Sequence, residues 1–155
     1  MNRIPDIQDT DNAIILRTDF SNEAVWKDLR RILERVTEEG YRSYAYIVDN
    51  PEYANIAEKS VRGILPGNYL NPFVIIVDRM TIDHPDHPVL FFYFGEHLEE
   101  GSPQALRVVA SEAYSIEANL SIANVDFEEF VAAADEDGIF RGSLVLESKT
   151  KFTKK

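Results

Sequence analysis

The sequence predicts a mixed α/β fold. It has a mostly parallel five-stranded sheet, elements in the order β-α-β-α-β-β-β-α-α, and helices on both faces. Three observations predict it. A strongly amphipathic stretch from about Asn22 to Glu39 lies between two short apolar runs, which reads as a βαβ unit with parallel strands. Two continuously apolar runs, Pro72–Asp78 (PFVIIVD) and Val89–Phe94 (VLFFYF), suit strands covered on both faces. The polar stretch Gly95–Pro103 holds no helix, so the fourth and fifth strands are expected to pair as an antiparallel hairpin.

Taken in order, residues 1–12 are polar and acidic and read as a loosely held lead-in. Ala13–Thr18 (AIILRT) is the first strand, and Asp19 or Ser21 is placed to cap the helix that follows. In that helix Val25, Leu29, Ile32, Leu33 and Val36 recur at helical spacing, and Gly40 closes it. Trp26 lies beside the stripe and is expected to pack partly into the core. Arg42–Asp49 (RSYAYIVD) is the second strand, broken by Asn50 and Pro51. One short helix is expected within Tyr53–Leu65, closed by Pro66 and Gly67. Arg79–Pro88 reads as a Pro-rich loop, and Ala105–Ala110 (ALRVVA) as the fifth strand. Ser111 is placed to cap a short helix through Asn119.

The densest local signals lie between Asn119 and Gly142. Asp126 followed by Glu129 has the spacing of a capping box. Phe127, Phe130, Val131 and Ala134 then form one apolar stripe, and Gly138 stands where a left-handed residue would end the helix. The blocks NLSIANVDFEEF and DEDGIFRG, with ILRTDFSNEAVW at Ile15–Trp26, resemble an uncharacterised, mainly actinobacterial family of small stand-alone domains. The segments IVDNPEY, VIIVDR and TIDHPDHPVL share the likeness, which runs from Ile14 to Gly142. It implies an α/β domain and carries no activity and no catalytic residues.

A length of 155 residues suits one domain, read here as residues 1–142, large enough to bury roughly two thirds of its unfolded surface. Beyond it, Ser143–Glu147 offers an edge strand and the Lys-rich end reads as a tail. There is no cysteine, so disulfides, thiolate nucleophiles and Cys-ligated zinc are excluded. No signal peptide or membrane span is evident, and the expected location is the cytoplasm. The formal charge is −11, although the last thirteen residues hold four Lys against one Glu. Such an acidic body repels nucleic acid and anionic lipid, and suits a basic protein or a cation. Solubility alone is the plainer account of the same charge.

Two constellations bear on chemistry. The first three strands each end in an aspartate, Asp19, Asp49 and Asp78, which parallel pairing would bring to one sheet edge. Grouped carboxylates can hold Mg²⁺ for work on a phosphate-bearing substrate, whereas turn and cap chemistry explains the same residues without a ligand. The tandem Asp83-His84-Pro85-Asp86-His87-Pro88 would, as a polyproline stretch, point His84 and His87 the same way. Two imidazoles and a carboxylate suit Zn²⁺ or Ni²⁺, and the plainer reading is a stiffened connection whose Asp and His serve backbone amides. His97 lies across the hairpin. The acidic run Asp135–Gly138 fails the register of a calcium loop, since aligning Gly138 puts Ala133 and Leu144 at ligand positions. No glycine-rich phosphate cradle and no serine elbow is present. These absences favour a non-enzymatic protein-binding domain, an inhibitor or immunity-type partner of a basic protein, that needs no cofactor. The alternative is a divalent-metal-dependent enzyme built on Asp19, Asp49 and Asp78.

Overall fold

Apolar runs build the sheet, and their alternation builds two cores. The computed structural model describes residues 2–8, 12–34, 45–95, 100–101, 103–121 and 126–142. The strands are β1 (Ile14–Arg17), β2 (Tyr46–Val48), β3 (Phe73–Val77), β4 (Pro88–Tyr93), β5 (Ala105–Val109) and β6 (Ile139–Phe140). They lie in the order β2-β1-β3-β4-β5-β6. β1 pairs in parallel with β2 and with β3, and β6 pairs in parallel with β5. β4 runs antiparallel to β5, as the helix-free hairpin predicted, and antiparallel to β3 as well.

The expected sheet had five strands; the sixth is β6. Ile139 and Phe140 are too short a run to read as a strand, yet they pair with Arg107 and Val108. A turn brings them there: the amide of Gly138 bonds the Asp135 carbonyl, Gly138 has φ +83°, and Asp137 accepts from the Ile139 amide.

Successive residues of a strand face opposite sides of the sheet. Ile15, Phe73, Ile75, Val77, Phe91 and Val108 join one core with the helices α1 (Glu23–Glu34), α4 (Ala113–Ser121) and α5 (Phe127–Ala132). Ile14, Leu16, Val74, Ile76 and Leu90 join the other with α2 (Glu58–Ile64), Tyr53, and Ile4 and Ile7. Residues 2–8 are therefore docked rather than loose. The Ile4 amide bonds the Ile64 carbonyl, and Asn68 bonds both the amide and the carbonyl of Ile7.

Other expectations are corrected in detail. α1 buries Trp26, Leu29 and Leu33 while Ile32 stays 38% exposed, so the inward face is turned toward the indole, its largest apolar group. The cap is Asn22, whose side chain accepts from the Val25 amide. The Pro-rich loop opens with a helix, α3 (Arg79–Asp83). A 3-10 turn at Pro51–Tyr53 precedes α2, and another at Ala110–Glu112 leads into α4. In α5, Phe127 and Phe130 are fully buried as expected, Phe127 stacking on Tyr93 and Phe130 meeting Phe140 edge-on. Asp126 occupies the cap position without a capping bond from its side chain, because its own carbonyl takes the Glu129 amide. The expected edge strand at Ser143–Glu147, most of the second strand's predicted start and the end of the first helix lie outside the described residues.

Candidate functional site: the carboxyl edge of the sheet

Parallel pairing of β1, β2 and β3 brings Asp19, Asp49 and Asp78 to one edge of the sheet, as their strand-end positions predicted. β5 runs the same way as β3, because both oppose β4, and β6 follows β5. Arg107 and Arg141 therefore reach this edge as well.

Arg17, the last residue of β1, is only 2% exposed. A guanidinium taken so far out of water needs every donor answered. Its Nε donates to the Asp19 carbonyl at 3.3 Å, its Nη1 to Asp49 at 3.1 Å and its Nη2 to Glu23 at 2.5 Å. The rings of Phe20 and Trp26 lie 4.3 and 4.7 Å from its Cζ, within cation–π range. The carboxylate of Asp19 folds onto its own turn, accepting from the amide and the hydroxyl of Ser21. Asp49 is shared: Oδ1 goes to Arg17, and Oδ2 lies 3.7 Å from Nη1 of Arg30 on α1.

Asp78 ends β3 and starts α3. One of its oxygens accepts from the Thr81 amide, the Thr81 hydroxyl answers its backbone amide, and the two form a complete capping box. The guanidinium of Arg107, from β5, meets the same carboxylate with two bonds of 2.7 Å. Burial pushes this carboxyl up, but Arg107 and Thr81 together outweigh it and hold it below the usual carboxylate range.

In open α/β sheets, ligands enter where the strand order reverses, here between the ends of β1 and β3. There the ladder between the two strands runs on past Arg17 and Val77. The amide and hydroxyl of Thr18 both donate to the Val77 carbonyl, at 2.8 and 3.2 Å, and the Asn55 amide donates to the Thr18 carbonyl at 2.7 Å.

The histidine loop adjoins this edge as a turn, not a polyproline stretch. The His87 amide bonds the His84 carbonyl, and His87 has φ +46°, far from the extended value that would align the two rings. His84 Nδ1 accepts from the Asp86 amide at 3.0 Å. His87 Nδ1 lies 2.9 Å from the Thr81 carbonyl, a contact that puts the ring proton on Nδ1. Asp86 is held by Arg141, which also binds Asp135 and Asp137. The bonds from Arg141 hold the Asp137 carboxyl down at about 2, and the three carboxylates raise Arg141 in turn. His97 lies outside the described residues. Among the described residues, no group of three or more His, Asp or Glu is arranged to hold a metal ion.

The edge is thus a row of arginine–carboxylate pairs. Sequence reasoning named the aspartates and missed Arg17, Arg107 and Arg141. For Arg17 and Arg107 a signal existed, a lone cation inside the apolar runs IILRT and ALRVVA; for Arg141 there was none. A family model described as a domain of unknown function, DUF6924, matches residues 12–143. The chain belongs to that family. The matched span of the DUF6924 domain holds all six strands and every arginine pair of the edge. No curated protein matches the sequence. Among the described residues, no helix is long and apolar enough to cross a membrane.

One cavity opens beside this row. It measures about 310 Å³ and lies at the outer margin of β2, between Arg30 of α1, Ile4 and Pro5 of the docked N-terminal segment, and Tyr53. Tyr46, Asp49 and Asn50 line it from β2 and the turn after it.

Proposed function

We propose that this domain is a non-enzymatic protein-binding module, an inhibitor or immunity-type partner of a basic protein. The supporting observation is where the charges go. Arg17, Arg107 and Arg141 are each neutralised by the protein's own carboxylates, while Asp6, Glu58, Glu129 and Glu136 stand exposed on a chain of formal charge −11. Cations bound to their own carboxylates contribute little to the outer field, so the surplus negative charge steers basic surfaces inward. We further infer the mainly actinobacterial range implied by the sequence blocks, which makes an actinobacterial lysate the source for a partner search.

The test is capture by the tagged full chain at low and at high salt. A basic protein should be retained at low salt and released as screening rises. The variant Asp6→Asn, Glu58→Gln, Glu129→Gln and Glu136→Gln should retain several-fold less of it. Equal retention by both baits, insensitive to salt, would contradict the electrostatic reading.

A further inference from the structure

We infer that the cavity beside β2 takes an arginine side chain of the basic partner, with Asp49 as its counter-charge. This inference rests on the partner reading above and assigns it a contact point.

The two oxygens of Asp49 are unequally engaged. Oδ1 accepts a bond of 3.1 Å from Arg17, which is buried and fixed. Among the described residues, the cation nearest Oδ2 is Arg30, at 3.7 Å, beyond hydrogen-bond distance. The Asp49 side chain is 31% exposed, so a group entering the cavity can reach it. Arg30 has somewhere else to go, because its Nε already donates to Glu34 at 2.9 Å, one helical turn along. Arg30 is therefore held by Glu34 and only loosely engaged with Asp49, whose Oδ2 a better-placed guanidinium can take.

The walls suit that occupant. Ile4 and Pro5 offer apolar contact for an aliphatic stem. The Tyr46 ring is 51% exposed on the outermost strand and offers a face on which a planar guanidinium stacks. The Asn50 carbonyl oxygen of the side chain is already taken by the Glu52 amide, so Asp49 is the group left to read charge. At about 310 Å³ the cavity falls at the small end of the usual ligand range, enough for one side chain.

The experiment uses the isotope-labelled full chain and N-acetyl-arginine amide as the probe, followed by amide chemical shifts. Saturable shifts are expected at Tyr46, Val48, Asp49 and Asn50. The uncharged isostere N-acetyl-citrulline amide should bind at least about tenfold more weakly. Tyr46→Ala, at an exposed position, should weaken binding several-fold without unfolding the chain. Arg30→Ala should tighten it, because the competing guanidinium is gone. N-acetyl-lysine amide should bind more weakly than the arginine probe, since an ammonium cannot stack on Tyr46 in the same way. Shifts elsewhere, equal binding of citrulline, or weaker binding by Arg30→Ala would each overturn the assignment. The capture experiment above judges the partner reading separately, so retention of a basic protein alongside failure here would remove only this contact point.

Discussion

Arg107 and Asp78, 29 residues apart, face each other fork to fork, Nη1 on Oδ1 and Nη2 on Oδ2, both at 2.7 Å. The pair ties β5 to the start of α3 across the intervening β4. Arg107→Ala should cost about 1–3 kcal/mol, because it leaves a half-buried carboxylate without its cation. The loss should depend on pH. Asp78 lies below its ordinary 3.8 when folded, so its contribution is complete above that value and fades as pH falls through the lower folded value. Urea unfolding of wild type and Arg107→Ala should therefore converge in strong acid. Asp137, held at about 2 by Arg141, should add to acid sensitivity in the same direction.

Divalent ions should leave the melting temperature unchanged. Asp19 is folded onto Ser21, Asp49 onto Arg17, and Asp78 onto Arg107 and Thr81. A metal shared by the three would have to displace Ser21 from Asp19, Arg17 from Asp49 and Arg107 from Asp78. A saturable rise in Tm with Mg²⁺ or Mn²⁺, abolished by Asp78→Asn, would make the metal-dependent enzyme the leading reading.

The double variant His84→Ala, His87→Ala should lose about 1 kcal/mol, the worth of two local bonds to backbone. Zinc should not stabilise the wild type. Stoichiometric zinc after gentle purification, absent from the double variant, would show a ligand site instead.

In the α5 block the three residues should separate cleanly. Phe130→Ala should cost about 3–5 kcal/mol, since the ring is fully buried and meets Phe140 edge-on. Gly138→Ala should cost about 1 kcal/mol from its positive φ alone, because open space surrounds the added Cβ. Asp126→Ala should change stability by less than about 0.5 kcal/mol, as its side chain makes no capping bond. A cost of a full cap for Asp126 would show that the bond forms in solution.

Gly95→Ala tests a close approach. A Cβ there would lie 2.3 Å from the Tyr93 hydroxyl, and that ring cannot swing away because it is stacked on Phe127 at 4.7 Å. Thermal unfolding should show a loss of about 1–3 kcal/mol.

What was legible in the sequence was what neighbouring residues decide. Apolar runs marked β1, β3, β4 and β5, and the helix-free polar stretch marked the hairpin. The strand-end aspartates could be placed on one edge because parallel pairing follows from a βαβ reading. Capping shows where local reading fails. Asp126 and Glu129 have the spacing of a capping box and do not form one. Asp78 and Thr81 do form one, in a segment whose prolines suggested a loop. β6 escaped because two residues carry no period. The partners of the strand-end carboxylates escaped because pairs such as Arg107–Asp78 and Arg17–Asp49 join residues 29 and 32 apart, where no local pattern exists.

The sheet keeps its two apolar clusters apart, since alternate residues of each strand commit to opposite sides. Energies measured on the two sides should therefore be independent. Phe130 belongs to one cluster and Val61 to the other, with no residue of either cluster shared. Truncating both should cost the sum of the single losses within about 0.5 kcal/mol, whereas truncating Phe130 with its neighbour Phe140 should depart from additivity. Substitutions can therefore accumulate on one face without altering the tolerance of the other.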